Sequence, residues 1–289
     1  MPDDPPDRLI PDLEKPAREV ARGVFKGAID VWNWLRGNSQ VGQKAGLTSR
    51  GILVLGPGGA GKTTFARLIA GDLDWLHDAP GQYEESVGLE HFTLDDDPGV
   101  EVVVAPGQDY RRQATWPGLL RQVATGVYRG VVLVNAFGHH TFSAASYKHH
   151  QLFKTTKEAF LTVYFADRRA EEVRVLRQLV PHLSVCPKPV WLLSIVSKQD
   201  LWWSHHGEAE AHYQQGEYAN ATGEIARALG DRGFRHELAF LAMTLRNLET
   251  DAGERLVQTE AGYDMRRVKT GIHQLIRVLA ELKAWEARS

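Results

Sequence analysis

The chain has 289 residues, of which 43% are hydrophobic and 24% charged, with a net charge of −2 and a single cysteine. That size admits one large domain or two small ones, and the near-neutral balance excludes a global field that would recruit nucleic acid or an anionic membrane. One cysteine, Cys186, excludes an internal disulfide framework and fits a reducing compartment, the cytoplasm.

Residues 1–45 read as a lead-in. The acidic, proline-rich start Met1-Pro2-Asp3-Asp4-Pro5-Pro6-Asp7 is unlike a signal peptide, and no apolar run reaches the length of a bilayer span. The spacing of Val20, Val24, Ala28, Val31, Trp32 and Leu35 predicts an amphipathic helix over residues 14–36, ended by Gly37-Asn38-Ser39. Docking on the domain's own flank is favoured for it over a membrane-surface or partner-binding role, since most amphipathic helices face a core.

Residues 46–289 read as one domain. The apolar run Gly51-Ile52-Leu53-Val54-Leu55 leads into Gly56-Pro57-Gly58-Gly59-Ala60-Gly61-Lys62-Thr63-Thr64, and a helical pattern follows. Strand, glycine-rich turn and helix are the context in which G-x-x-x-x-G-K-[ST] is a phosphate site. Glycines let successive N–H groups point inward, and the helix adds the positive end of its dipole. Lys62 is then the cation for β- and γ-phosphates, and the Thr63 hydroxyl a ligand for Mg²⁺.

Six strand-like runs follow from residue 51: Gly51–Leu55, His91–Leu94, Glu101–Ala105, Gly130–Val134, Val190–Val196 and Glu237–Met243. Helical runs are Thr63–Asp72, Trp116–Ala124, Ala170–Leu179, Ala221–Leu229 and Asp264–Glu286. The alternation predicts a three-layer α/β domain with a mostly parallel sheet. The turn-rich Asp95-Asp96-Asp97-Pro98-Gly99 predicts a hairpin, hence one antiparallel edge strand. The last helix carries a stripe of Met265, Val268, Ile272, Leu275, Leu279 and Leu282, expected to pack on the sheet.

Two further segments bear on the class of phosphate-loop protein. Val102-Val103-Val104-Ala105-Pro106-Gly107-Gln108 is a buried strand ending in a turn, with Gly107 45 residues after Lys62. Leu192-Leu193-Ser194-Ile195-Val196-Ser197-Lys198-Gln199-Asp200 delivers a polar turn at a strand's carboxyl end, where open α/β sheets bind ligands. A softer candidate is Ser86-Val87-Gly88, just before the second strand-like run. These segments resemble, in order, the D-x-x-G-Q, [NT]-K-x-D and first-switch motifs of Ras-like small GTPases, over roughly residues 50–245. Val104 departs from the usual aspartate. The Pro106-Gly107-Gln108 turn without that aspartate is similar to bacterial GTPases of the gliding and polarity type.

The resemblance implies GTP and GDP as ligands, with Mg²⁺. It implies that Gly56, Gly59, Ala60, Gly61, Lys62, Thr63 and Thr64 hold phosphates, that Gly107 senses the γ-phosphate and that Gln108 orients the attacking water. Lys198 and Asp200 would select guanine, and the Ser197 hydroxyl would tie to the phosphate-loop backbone. Thr63 and Ser86 would face the metal. The expected function is a slowly hydrolysing switch in bacterial-type regulation, with a protein effector or regulator as partner. A nucleotide-dependent scaffold with little hydrolysis, or an ATP-using protein, are the alternatives. Arg111 and Arg112 are candidates for a cis arginine, with exposed charges the favoured alternative.

A rival register, with Asn135 of Val131-Val132-Leu133-Val134-Asn135 in the acidic metal-anchoring role, is disfavoured because an amide is a poor Mg²⁺ anchor. Residues 139–168 read as an insertion. Its pairs His139-His140 and His149-His150 raise a zinc hypothesis, but adjacent histidines rarely share one ion, and a partner-binding insertion is preferred. Its aromatics, Tyr147, Phe153, Phe160, Tyr164 and Phe165, suit a small core of their own. No clean copy of the last base-cradling motif follows the sixth strand, where Leu241-Ala242-Met243-Thr244 is the only candidate stretch.

Overall fold

The computed structural model describes residues 51–71, 88–94 and 97–289. The helix predicted over 14–36 and the candidate metal residue Ser86 lie outside them.

Six strands form the main sheet: β1 (Gly51–Leu55), β2 (Glu90–Leu94), β3 (Asp97–Val104), β4 (Tyr128–Asn135), β5 (Val190–Val196) and β6 (Phe234–Phe240). Their order is β2-β3-β1-β4-β5-β6, with β2 antiparallel to β3 and every other pair parallel. This is the mostly parallel α/β sheet with one antiparallel edge strand that the alternation predicts. β1 lies at the point where the connections diverge to either side, and it is beyond the carboxyl end of such a strand that open α/β sheets bind ligands.

Parallel strands buried on both faces read as continuous apolar runs. Here Leu53, Leu55, Leu133 and Leu192 face one side, under Leu120 of α2 (Asp109–Ala124), Leu176 of α3 (Lys157–Leu183) and Ile225 of α5 (Gly216–Gly233). Ile52, Val54, Val104 and Leu193 face the other, under Phe65 of α1 (Lys62–Ile69) and Ile272 of α6 (Met265–Glu286). The α6 stripe Val268, Ile272, Leu275 and Leu282 is buried on the sheet, and the Asp264 carboxylate caps its first turn by accepting from the Arg266 and Arg267 amides. Between β5 and α5 lies α4 (His206–Gln214), and a two-stranded hairpin, β7 (Leu248–Glu249) and β8 (Arg255–Val257), precedes α6.

Several boundaries differ from the predicted ones for identifiable reasons. Helix α2 begins at Asp109 rather than Trp116. Pro117 reads as a first-turn signal, yet the helix runs through it. Helix α3 begins at Lys157, with the Thr156 hydroxyl capping Ala159 N, so residues 157–168 of the predicted insertion are its opening turns. Strand β6 ends at Phe240, three residues short of the predicted end, and the released chain turns toward the phosphate loop. Strand β3 starts at Asp97, which shortens the hairpin turn before it.

Candidate functional site

The glycine-rich loop runs from the end of β1 to the start of α1. Gly59 sits at φ +69°, and a Cβ there would lie 2.6 Å from Thr141 N, so both conformation and space demand glycine. Lys62, the first residue of α1, is buried and curls back so that Nζ donates to Pro57 O at 2.9 Å. Burial and, after it, the Arg112 guanidinium lower its pKa to about 8, with Glu90 and Glu171 opposing both. The ammonium is therefore held over its own loop beside a second cation, a geometry suited to an anion. The Thr63 hydroxyl donates to Glu90 Oε1 at 3.2 Å, and Thr64 follows in the same turn, half-buried.

From the neighbouring strand, Gly107 presses on this loop. A Cβ at Gly107 would lie 2.3 Å from Lys62 Nζ, 2.6 Å from Pro57 C and 2.7 Å from Gly56 O. Gln108 is the extended cap of α2, and its Cγ lies 3.7 Å from where a Cβ on Gly58 would stand. The two arginines that follow differ. Arg111 bonds to the Tyr110 hydroxyl at the surface. Arg112 is buried, contrary to the expectation of exposed charges. Its Nη2 donates to Glu171 Oε1 at 2.7 Å and to Asp109 Oδ1 at 3.0 Å, while Nε and Nη1 have no hydrogen-bond partner among the described residues. Arg168 holds the other Glu171 oxygen at 2.7 Å and so fixes the arrangement.

On the other flank, the turn after β5 is tied to the same loop. The Ser197 hydroxyl lies 2.6 Å from Ala60 O and 2.9 Å from Asn135 O. Lys198 sits in the left-handed region at φ 56°, with its ammonium donating to Gly59 O at 2.8 Å, His139 O at 2.9 Å and Thr141 Oγ1 at 3.0 Å. Burial pulls Lys198 down to about 7, with the Asp200 carboxylate opposing. Asp200 is buried. Its Oδ2 accepts from Thr259 Oγ1 at 2.8 Å and from Arg246 N at 3.3 Å. Burial raises its pKa to about 6, with the Thr259 and Arg246 bonds and Lys198 opposing. Beyond β6, Ala242 N donates to the Tyr263 hydroxyl at 3.2 Å, which itself donates to Gln199 Oε1 at 2.9 Å. Met243 Cε lies 3.4 Å from where a Cβ on Gly61 would stand.

The loop after β4 completes the floor. Glu172 of α3, fully buried, accepts from Ala136 N at 2.8 Å, Gly138 N at 3.2 Å and the Tyr213 hydroxyl at 2.6 Å, and pairs with His140 Nε2 at 2.9 Å. Burial alone would raise this carboxyl, but the His140 ring, Tyr213 and the Ala136 amide carry it below the usual carboxylate range. The Asn135 amide donates to the Tyr218 hydroxyl at 3.0 Å, on the sheet face away from α1, which removes it from a metal-anchoring role at Thr63. His139 bonds Phe137 O and stacks on Phe165, and burial lowers its pKa to about 3. His150 packs among Phe142, Phe160 and Tyr164. Among the described residues, no three His, Cys, Asp or Glu side chains are placed to hold a metal ion.

The structure thus brings Gly56, Gly59, Ala60, Gly61, Lys62, Thr63, Gly107, Gln108, Ser197 and Lys198 around one loop, with Asp200 two residues beyond. The sequence reading missed Glu90, Thr141, Glu171, Glu172 and Thr259. Only Glu90 had a local signal, as the polar residue directly before an expected strand. The others reach the site from remote elements.

No family model matches the chain, and no curated protein matches it. Among solved structures, the chain is similar to the mammalian SRP receptor, at 13% identity and TM-score 0.39, over 81% of this chain and 100% of that one. It is also similar to the ADP-ribosylation-factor-like small COPII coat GTPase SAR1 of Encephalitozoon cuniculi in complex with GDP, at 13% identity and TM-score 0.39, over 96% and 98%. A third likeness is to the signal recognition particle receptor SRb–GDP of Chaetomium thermophilum, at 15% identity and TM-score 0.37, over 81% and 97%.

Proposed function

We propose that this chain is a guanine-nucleotide switch that binds GTP and slowly hydrolyses it to GDP and phosphate. The observation that carries the proposal is the double tie of the Ser197-Lys198 turn to the phosphate loop, at Ala60 O and Gly59 O. It joins a turn suited to a base and a loop suited to phosphates into one unit. Lys62 and the loop amides would hold the triphosphate, and the Gly107 backbone would meet the terminal phosphate. Gln108 would orient the water, and Arg112 would add a second cation beside Lys62. The Thr63 hydroxyl, next to a carboxylate oxygen, suits a hard cation that takes oxygen ligands. Thr63 and Glu90 would hold Mg²⁺ there, and the ion would supply positive charge beside the phosphates. Guanine, unlike adenine, offers a carboxylate two adjacent donors. Because Asp200 Oδ2 is committed to Thr259 and Arg246, purine recognition would use Oδ1 or displace Thr259.

Competition binding tests this. GTP should displace a fluorescent GDP analogue at concentrations about a hundredfold or more below ATP. Lys62→Ala should abolish binding of both. Equal competition by the two triphosphates would reject guanine selection, and an unchanged affinity in Lys62→Ala would reject the phosphate site.

The apolar, fully buried Val104 at the end of β3 favours a second reading, a nucleotide-dependent scaffold with little turnover. Single-turnover phosphate release separates the two. Bacterial-type regulation and a protein effector remain part of the proposal on the strength of the Pro106-Gly107-Gln108 turn.

A further inference from the structure

A carboxylate near the phosphate-loop hydroxyl is the usual means of holding a nucleotide's Mg²⁺. In this chain the end of β3 offers Val104, which cannot serve. The sheet register offers a replacement. Val104 pairs directly with Glu90, the first residue of the antiparallel strand β2. Directly opposed residues of an antiparallel pair project to the same face, with Cβ atoms about 5 Å apart. That face is the one covered by α1, since Val104 packs with Ala60, Phe65 and Ala66. Glutamate is one methylene longer than aspartate, and the extra reach is used: Glu90 Oε1 lies 3.2 Å from Thr63 Oγ1. This separation is close to the edge of an octahedron with Mg²⁺–oxygen bonds of 2.0–2.1 Å, about 2.9 Å.

We propose that Glu90 supplies from β2 the Mg²⁺-holding carboxylate that Val104 leaves missing on β3. The inference rests on the nucleotide reading above. It assigns the metal site to Thr63 and Glu90, a pair brought together by strand pairing and separated by 27 positions in the sequence.

The test is Glu90→Gln, isosteric and at a half-buried strand end. Two measurements keep the failures apart. The first is affinity for a fluorescent GDP analogue in EDTA, which needs the fold and the phosphate loop but no metal. The second is Mn²⁺ affinity of the GDP complex, followed by electron paramagnetic resonance. Glu90→Gln, which removes a negative charge beside the phosphates, should not weaken the first and should weaken the second about ten- to a hundredfold, the usual effect of removing a supporting carboxylate. Returning the charge to β3, as Glu90→Gln with Val104→Asp, should recover Mn²⁺ affinity. Parent-like Mn²⁺ binding by Glu90→Gln overturns the assignment. So does a double variant that binds nucleotide in EDTA yet stays poor in metal. A parent chain that binds no nucleotide in EDTA or with Mn²⁺ sinks the nucleotide reading itself, a different result from either.

Discussion

Adjacent glycines in the phosphate loop should respond to alanine in opposite ways. At Gly59, φ is +69° and an added Cβ would stand 2.6 Å from Thr141 N and 2.8 Å from Thr141 Cβ, well inside the 3.4 Å of ordinary contact. The left-handed conformation costs an L-residue roughly 1–2 kcal/mol, and the overlap about 1–3 kcal/mol more. A stiffer unfolded chain returns about 0.4–1 kcal/mol. The net loss is about 1–4.6 kcal/mol, which in a domain of this size lowers Tm by roughly 2–18 °C. At Gly58 the nearest atom to a new Cβ is Gln108 Cγ at 3.7 Å, and φ lies outside the left-handed range. Gly58→Ala should therefore stay within about 0.5 kcal/mol of the parent. Thermal unfolding followed by circular dichroism, with both variants beside the parent, measures the contrast. Equal midpoints for Gly58→Ala and Gly59→Ala would refute the packing of Thr141 against the loop.

Three further outcomes are expected. Gln108→Leu should slow single-turnover phosphate release while nucleotide affinity stays nearly intact, and equal rates in variant and parent would remove Gln108 from the reaction. Arg112→Gln should lower kcat by about a hundredfold with little change in KM, because Glu171 keeps its Arg168 bond and the fold survives. An unaltered rate would leave Arg112 only its bonds to Glu171 and Asp109. GTP affinity should fall with acid: burial raises Asp200 to about 6, its protonated form is neutral and no longer accepts from both guanine donors, and binding at pH 5 should be about tenfold weaker than at pH 7. Titration calorimetry across that range checks this, and a flat profile would detach Asp200 from the base.

What the sequence discloses here follows from range. The phosphate loop is legible because its backbone shape dictates glycines at fixed offsets, and the strands because double burial produces apolar runs such as Val131-Val132-Leu133-Val134. The carboxylate that meets Thr63 shows in the sequence only as a polar residue before an expected strand; its meeting with Thr63 follows from a cross-strand pairing. Glu171 and Glu172 are hidden for another reason. In a charged stretch with Arg168 and Arg169 they read as a solvated helix face, whereas both are buried, one bound to Arg112 and the other to the loop after β4. Thr259 reaches Asp200 across 59 positions, through a hairpin too short to announce itself.

The ties of Ser197, Lys198 and Thr141 to Gly59 and Ala60 bear on how the molecule can change shape. They weld the loop to the half of the sheet that holds β4 and β5. From the β2–β3 half, Gly107 and Glu90 meet it by close fit and by one hydroxyl bond. On the nucleotide reading, departure of a terminal phosphate loosens the second flank and leaves the first at rest. The movement would then belong to the β2 edge, with the β4–β5 side as its fixed anvil.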